Sequence, residues 1–320
     1  MQGVAQQASG PRATPLGARL LAFGDYRPSR IVTNDDLVAD TNDAWVRERT
    51  GIVTRRYASD SDTVVSMAVA AGAKALATAG VEPDLVLLAS CSLTTPVPGG
   101  AASVASALGT TAGAVDVNAA CAGFCYAISW ASDAIRAGSA RHVLVVGSER
   151  LTTWLDPLDR GTAIIFGDGA GAAVVGPSDE QGIGPVVWGS DGTKADAIRI
   201  PEDGDALTMD GPGVFRWATT RVADVARKAC AAAGLAPSDV AWFVPHQANL
   251  RIVDSLARQL GIADDRVARD IVDMGNTSGA SIPLAVCRLL DEGRVASGDP
   301  MLLVAFGAGL TYAAQVVTAP

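Results

Sequence analysis

Two stretches of this chain repeat each other at nearly one spacing, which constrains its fold more than any single motif does. Ala79-Gly80-Val81-Glu82-Pro83-Asp84 precedes an apolar run, and Ala233-Gly234-Leu235-Ala236-Pro237-Ser238-Asp239 precedes another. The two glycines lie 154 residues apart (234 − 80). Ala134-Ile135-Arg136-Ala137-Gly138 leads into the apolar run 143–147, and Leu289-Leu290-Asp291-Glu292-Gly293 leads into 301–307, at an offset of 155 (293 − 138). Matches at one spacing predict a duplicated unit rather than a chain of unrelated elements. The boundary falls near 176–184. It divides the chain into a loose tail (1–17), a first half (18–178) and a second half (179–320).

Within each half, short apolar runs alternate with alanine-rich helical stretches. Residues 85–89, 143–146, 242–244 and 301–305 read as buried strands, and 66–79, 122–137, 219–233 and 250–260 as helices. That alternation predicts an α/β fold with helices covering the sheets. Hydrophobic residues make up 49% of the 320 residues but aromatics only 5%, so small side chains must bring the elements close together.

The formal charge of −9 argues against general nucleic-acid binding, which needs a basic face. Five cysteines in no repeated pairing argue for a reducing compartment, hence a cytoplasmic location. No secretory leader and no membrane span is expected, because no apolar run is long enough.

An offset of 155 sets Cys121 opposite Asn276. Each follows an extended run and opens a small-residue helix, so a pseudo-two-fold axis would bring the two helix starts together. Cys121 is the first candidate for chemistry. At a helix start, free N–H groups favour the thiolate, while the small residues beside it leave room for a substrate. The bland alternative is a buried core thiol, the reading given to Cys91, Cys125, Cys230 and Cys287. His246 ends a strand at a sheet's carboxyl edge, the usual place for a site in α/β folds, whereas His142 reads as structural or exposed. Asn276 alone could be a helix cap.

The run Gly167-Asp168-Gly169-Ala170-Gly171 looks like a dinucleotide fingerprint. A strand-like segment follows it rather than a helix, so nucleotide binding is not expected there. No zinc-like ligand spacing is present. Phe306-Gly307-Ala308-Gly309 can offer backbone N–H groups of the kind an oxyanion hole uses.

Five co-linear motifs then converge: AACAGF, DRGTAIIFGDGAGAAVV, VPHQANLRI, GNTSGASIPLA and FGAGLTYAAQ. Together they resemble the β-ketoacyl-acyl-carrier-protein synthase III family, from about Leu20 to the C-terminus. The resemblance implies a thiolase fold, with two pseudo-symmetric halves in αβαβα layers, and a homodimer. It implies a Cys121–His246–Asn276 triad that condenses an acyl-CoA with malonyl-acyl-carrier protein, without a metal or redox cofactor. The N–H groups of Cys121 and Ala308 would form the oxyanion hole. Trp45, Arg160, Phe166, Leu207 and Asn249 would hold CoA and its pantetheine arm, and Arg49, Arg216, Arg251 and Arg258 would dock the acidic carrier protein. Val97 would stand at the dimer-facing end of the acyl pocket, where acetyl-selective relatives carry Phe. Pro212 replaces an Asn used near the pantetheine, and the 195–208 loop is short. A papain-type protease shares the order Cys…His…Asn but not the surrounding motifs. A priming enzyme or acyltransferase of a specialised pathway, or an inactive partner subunit, are the remaining alternatives; the last class usually lacks the nucleophile.

Overall fold

A computed structural model describes residues 15–202 and 204–320. The first half contains β1 (Gly17–Tyr26), β2 (Arg30–Thr33), α1 (Asp43–Thr50), β3 (Thr54–Tyr57), α2 (Val64–Ala79), β4 (Leu85–Ala89), α3 (Ala101–Ala107), β5 (Gly113–Val117), α4 (Gly123–Arg136), β6 (Val143–Arg150) and β7 (Asp168–Ser178). The second contains β8 (Val187–Ser190), β9 (Ile198–Arg199), β10 (Thr208–Met209), α5 (Gly211–Ala232), β11 (Trp242–Pro245), α6 (Leu250–Leu260), α7 (Ile271–Met274), α8 (Ser281–Asp291), β12 (Pro300–Gly307) and β13 (Thr311–Thr318).

The duplication is visible in the sheets. The first runs β1-β7-β6-β4-β5; the second, read from its other edge, runs β8-β13-β12-β11. Directions agree pair by pair. β4/β6 and β11/β12 are parallel, while β6/β7, β12/β13, β1/β7 and β13/β8 are antiparallel. Only β5 has no full counterpart; its place is taken by one parallel bridge, Phe243 to Val267.

Two helices lie between the sheets. α4 buries Phe124, Ile128, Ser129, Ala131, Ser132 and Ile135, too many for a single stripe, and α8 buries Ile282 through Cys287. A helix apolar most of the way round needs cover on both sides. Their side chains share one core with residues of both sheets, including Val145 and Val175 from the first and Leu303 and Val317 from the second. Each large apolar side chain so buried contributes about 1.5–3 kcal/mol. α2 and α3 cover the outer face of the first sheet, and α5 and α6 that of the second. The result is five layers, αβαβα. Arg27 and Arg288 both pair with the buried Asp270, at 3.0 and 2.6 Å, tying the end of β1 to α7 and α8.

Three expectations shift. Gly17, placed in the tail, begins β1, and residues 1–14 lie outside the described residues. The helix expected from 219 starts at Gly211, because Asp210 caps it and Pro212 sits in its first turn, where a missing N–H costs nothing. The short 195–208 loop is folded back as the β9–β10 ribbon. The glycine-rich run after Phe166 enters β7 and is buried there, with Asp168 accepting from Ala58 N–H and the Thr152 hydroxyl.

Candidate active site

The two α-helices of the middle layer begin in the same unusual way. A 3-10 turn, Ala120–Ala122, feeds α4, and another, Ser278–Ala280, feeds α8. Ala120 and Ser278 both have φ of 47°, the only positive values at non-glycine positions among the described residues. Both are held by an Asn two residues earlier. Asn118 Oδ1 accepts from Ala120 N–H at 3.2 Å, and Asn276 Oδ1 accepts from Ser278 N–H at 2.8 Å. The structural counterpart of Asn276 is therefore Asn118, and that of Cys121 is Gly279. The sequence offset of 155 misplaced this pair by three residues, because the connections between matched elements differ in length. The two helix starts do pack against each other as the pseudo-symmetry requires.

A cavity of about 650 Å3 is lined by Cys121, His246 and Asn276 together. Cys121 comes from the turn before α4, His246 from the end of β11 and Asn276 from the loop after α7. Cys121 is half-buried, and its sulfur lies against its own N–H and that of Ala308. Burial nevertheless pushes its pKa up to about 12, so the helix start does not yield a resting thiolate. Gly307 packs on it so closely that a Cβ there would stand 2.7 Å from Cys121 Cβ and 3.0 Å from its sulfur.

His246 is 2% exposed. Burial lowers its pKa to about 3, so the ring is neutral at neutral pH. Its Nδ1 lies 2.7 Å from Ser281 Oγ, which also accepts from Gln247 N–H at 3.3 Å. In the tautomer in which the Ser281 hydroxyl donates to Nδ1, the ring proton sits on Nε2. The edge of the ring packs on Phe306. Gln247 is buried and locks the loop, donating to Pro245 O at 2.7 Å and accepting from Ile271 N–H at 3.1 Å. With Oδ1 committed to Ser278, the Asn276 amide has Nδ2 free of hydrogen bonds among the described residues. The cavity floor thus combines a sulfur nucleophile, two N–H donors and a pair of backbone N–H groups. That set suits an acyl-thioester and a developing oxyanion. Ser281 and Gln247 lie within the GNTSGASIPLA and VPHQANLRI motifs, but only the tertiary contacts around His246 give them a role.

Nearer the surface the same cavity is lined by Trp45, Arg49, Arg160, Leu207, Arg216, Asn249 and Arg251, while Phe166, which also lines it, is buried and bridged to Asn276. Asn42 caps α1 by accepting from Trp45 N–H at 2.9 Å, fixing the helix that carries Trp45 and Arg49. The Arg49 and Arg160 guanidinium carbons lie 4.2 and 5.6 Å from the Trp45 ring centre, and that of Arg251 lies 5.3 Å from Phe215. Asn249 is already employed. Its Oδ1 caps α6 through Arg251 N–H, and its Nδ2 donates to Arg49 O at 3.0 Å. Pro212 also lines the cavity.

Two expected residues are not brought there. α6 buries Ile252, Val253, Leu256, Ala257 and Leu260, which leaves Arg251 and Arg258 on its open side. Arg258 stands two turns beyond Arg251, about 10 Å along the axis, and lines no part of the cavity. Val97 is 82% exposed and lies outside the cavity of the single chain. Among the described residues no group of side chains has the makings of a metal site, and no helix is long and apolar enough to cross a membrane.

Residues 115–192 match the family model described as 3-oxoacyl-[acyl-carrier-protein] synthase III, and residues 230–319 match the model of its C-terminal part. The sequence is 48% identical over 313 residues to beta-ketoacyl-[acyl-carrier-protein] synthase III 4 of Streptomyces coelicolor, covering 95% of this chain and 99% of the relative. It is 48% identical over 321 residues to the beta-ketoacyl-[acyl-carrier-protein] synthase III of Mycobacteroides abscessus, covering 94% of each. Among solved structures, the priming β-ketosynthase of the R1128 polyketide biosynthetic pathway superposes with a TM-score of 0.93 at 46% identity, over 98% of this chain and 99% of that one.

Proposed function

The chain belongs to the 3-oxoacyl-[acyl-carrier-protein] synthase III family of condensing acyltransferases with the thiolase fold, and on that premise we propose that it joins an acyl-CoA primer to malonyl-acyl-carrier protein. The observation that carries this reading is the cavity itself. Cys121, His246 and Asn276 line its buried part, and Arg49, Arg160, Arg216 and Arg251 line its exposed part, in a chain of net charge −9.

Cys121 attacks the acyl-CoA carbonyl, the N–H groups of Cys121 and Ala308 take the negative charge on oxygen, and CoA leaves. Malonyl-carrier protein then enters by the same route. Nε2–H of His246 and Nδ2–H of Asn276 donate to its thioester oxygen as CO2 departs and the enolate forms. The enolate carbon attacks the Cys121 acyl group and yields a β-ketoacyl-carrier protein. Loss of CO2 supplies the carbanion, so the reaction calls for no redox cofactor.

Trp45 offers a face for the adenine, and Arg49 and Arg160 offer charge for the CoA phosphates. Phe166, Leu207 and Asn249 flank the pantetheine arm, Asn249 through whatever hydrogen-bonding capacity its cap leaves. Arg49, Arg216 and Arg251, with Arg258 further along the same helix face, form the docking surface for the carrier protein. Val97 would reach an acyl pocket only across an interface between two copies of the chain, which ties its role to a homodimer. A second reading, in which the same reaction primes a polyketide, is favoured by the 46% identity to a priming ketosynthase.

The test is direct. Purified protein given acyl-CoA and malonyl-carrier protein should release one CO2 and one CoA per β-ketoacyl-carrier protein formed. Release of CoA without carbon–carbon bond formation would assign the chain to simple acyl transfer instead. The docking surface has its own test. Arg251→Glu should raise KM for malonyl-carrier protein about tenfold at low salt, and the difference should shrink as salt is added. An equal effect on KM for acyl-CoA would count against a carrier-specific role.

A further inference from the structure

One buried acid is left unused by this chemistry. Glu149, near the end of β6, has no exposed surface. Its neighbours are donors rather than cations. It accepts from the Ser90 hydroxyl at 3.1 Å, Cys91 N–H at 3.1 Å, the Cys91 thiol at 3.3 Å and Gly279 N–H at 3.3 Å, and from the Ser92 hydroxyl. These contacts come from the loop after β4 and from the turn that opens α8, so the carboxylate sits where the two halves meet beneath Cys121. β6 approaches that turn closely: a Cβ on Gly147 would stand 2.3 Å from Gly279 O. Ser278, next to Gly279, lines the cavity with Cys121, and its hydroxyl lies 3.5 Å from the Cys91 sulfur; that hydroxyl favours the charged forms of both Cys121 and Glu149. The titratable groups facing Glu149 are Cys91 from the loop after β4 and Cys121 from the turn before α4.

We propose that Glu149, acting through the Ser278 hydroxyl, takes the Cys121 proton as the thiol attacks the acyl-CoA. The inference rests on the condensing-enzyme reading above. His246 is poorly placed for this task, because Nδ1 is held by Ser281 and Nε2–H serves as a donor. The sulfur of Cys121 forms its bond to the carbonyl carbon while its proton passes to Ser278 Oγ and the Ser278 proton passes to Glu149. Collapse of the tetrahedral intermediate breaks the carbon–sulfur bond of CoA. The proton then returns through Ser278 to the departing CoA sulfur, so the acylation half-reaction gains and loses none. Burial supports the assignment from both ends. It holds the thiol protonated at neutral pH and raises the pKa of Glu149, making that carboxylate a better base than an exposed one.

The experiment is single-turnover acylation by acetyl-CoA, read as CoA release across pH 5–9, with malonyl-carrier-protein decarboxylation measured alongside. Glu149→Gln should slow acylation by roughly 10²–10⁴-fold, the range of a lost general base. It should also abolish the acid limb that the wild type shows as Glu149 protonates. Ser278→Ala, which keeps the carboxylate but cuts the path, should slow acylation in the same way, and Glu149→Asp should restore part of the rate. Decarboxylation, which depends on His246 and Asn276, should stay within a few-fold of wild type in Glu149→Gln. Acylation by Glu149→Gln or Ser278→Ala at the wild-type rate with the wild-type pH profile overturns the proposal. So does a parallel fall of acylation and decarboxylation in both variants, which marks a structural role. A wild type that takes no acyl group at all overturns the functional reading together with this one.

Discussion

Replacing His246 or Asn276 with alanine is expected to slow the decarboxylation of malonyl-carrier protein by roughly 10²–10³-fold, the usual cost of removing one oxyanion donor. In His246→Ala, acylation of Cys121 by acyl-CoA should stay within a few-fold of wild type, because its own oxyanion meets Cys121 N–H and Ala308 N–H instead; Asn276→Ala also removes the acceptor that holds Ser278 N–H, so its acylation should fall as well. The pH dependence separates this role from acid–base catalysis. Burial lowers the His246 pKa to about 3, so the ring is neutral and donates from Nε2 across the working range. Decarboxylation should therefore show no titration near the ordinary histidine pKa of about 6.5. Below that value the unfolded chain binds a proton that the folded chain refuses. This histidine consequently costs stability as pH falls from about 6.5 towards 3, a separate effect visible as a falling Tm. Rates of CO2 release from carboxyl-labelled malonyl-carrier protein, measured from pH 5 to 8, check both statements. A histidine limb near 6.5, or wild-type decarboxylation by the variants, would remove the donors from the account.

The second large effect is expected at a residue with no side chain. Gly307→Ala would place a Cβ 2.7 Å from Cys121 Cβ and 3.0 Å from Cys121 N and Sγ. No flexible side-chain end is available to move aside; the obstacle is the nucleophile and its backbone. Overpacking of this kind costs about 1–3 kcal/mol of stability. The relief it forces also shifts either Cys121 or the adjoining Ala308 N–H out of line, and misplacement by about 1 Å costs on the order of 10²-fold in rate. The variant should fold with a Tm several degrees lower and acylate at least about 10²-fold more slowly. Thermal melts and a stopped-flow burst of CoA release measure the two parts. A normal burst would mean that the strand carrying Gly307 can retreat without disturbing the site.

Much of this site could be read from the chain. The strands before His246 and before the Gly307 turn are short apolar runs with no competing pattern, and the sheets place them side by side as β11 and β12. The duplication was legible because equivalent turns kept similar residues. The pairing of Cys121 with Asn276 was not, since an offset measured at distant turns drifts by the few residues inserted between them. Asn118 shows the true equivalence, and the evidence for it is a shared φ of 47° that no residue pattern announces. The start of α5 was set too late, because its capped first turn is built from Gly211, Pro212 and Gly213, which carry no helical pattern of their own. Glu149, Ser278 and Ser281 escaped notice for a different reason. A buried carboxylate or hydroxyl gains its meaning from partners 35 to 130 residues away, and polar residues inside apolar or small-residue runs look the same whether they cap a helix or orient a catalytic ring. Val97 marks the converse limit, being placed by family likeness in a pocket that the single chain does not build around it.

The central claim is that Cys121 carries the acyl group at the floor of the cavity. Incubation with acetyl-CoA or isobutyryl-CoA, rapid quenching in acid and mass spectrometry of the intact protein and its peptides tests it. The predicted result is one acyl group per chain, located on the peptide containing Cys121, lost in Cys121→Ala and discharged when malonyl-carrier protein is added. Acylation of Cys91, the other thiol lining the cavity, or a Cys121→Ala variant that still acylates and condenses, would contradict it.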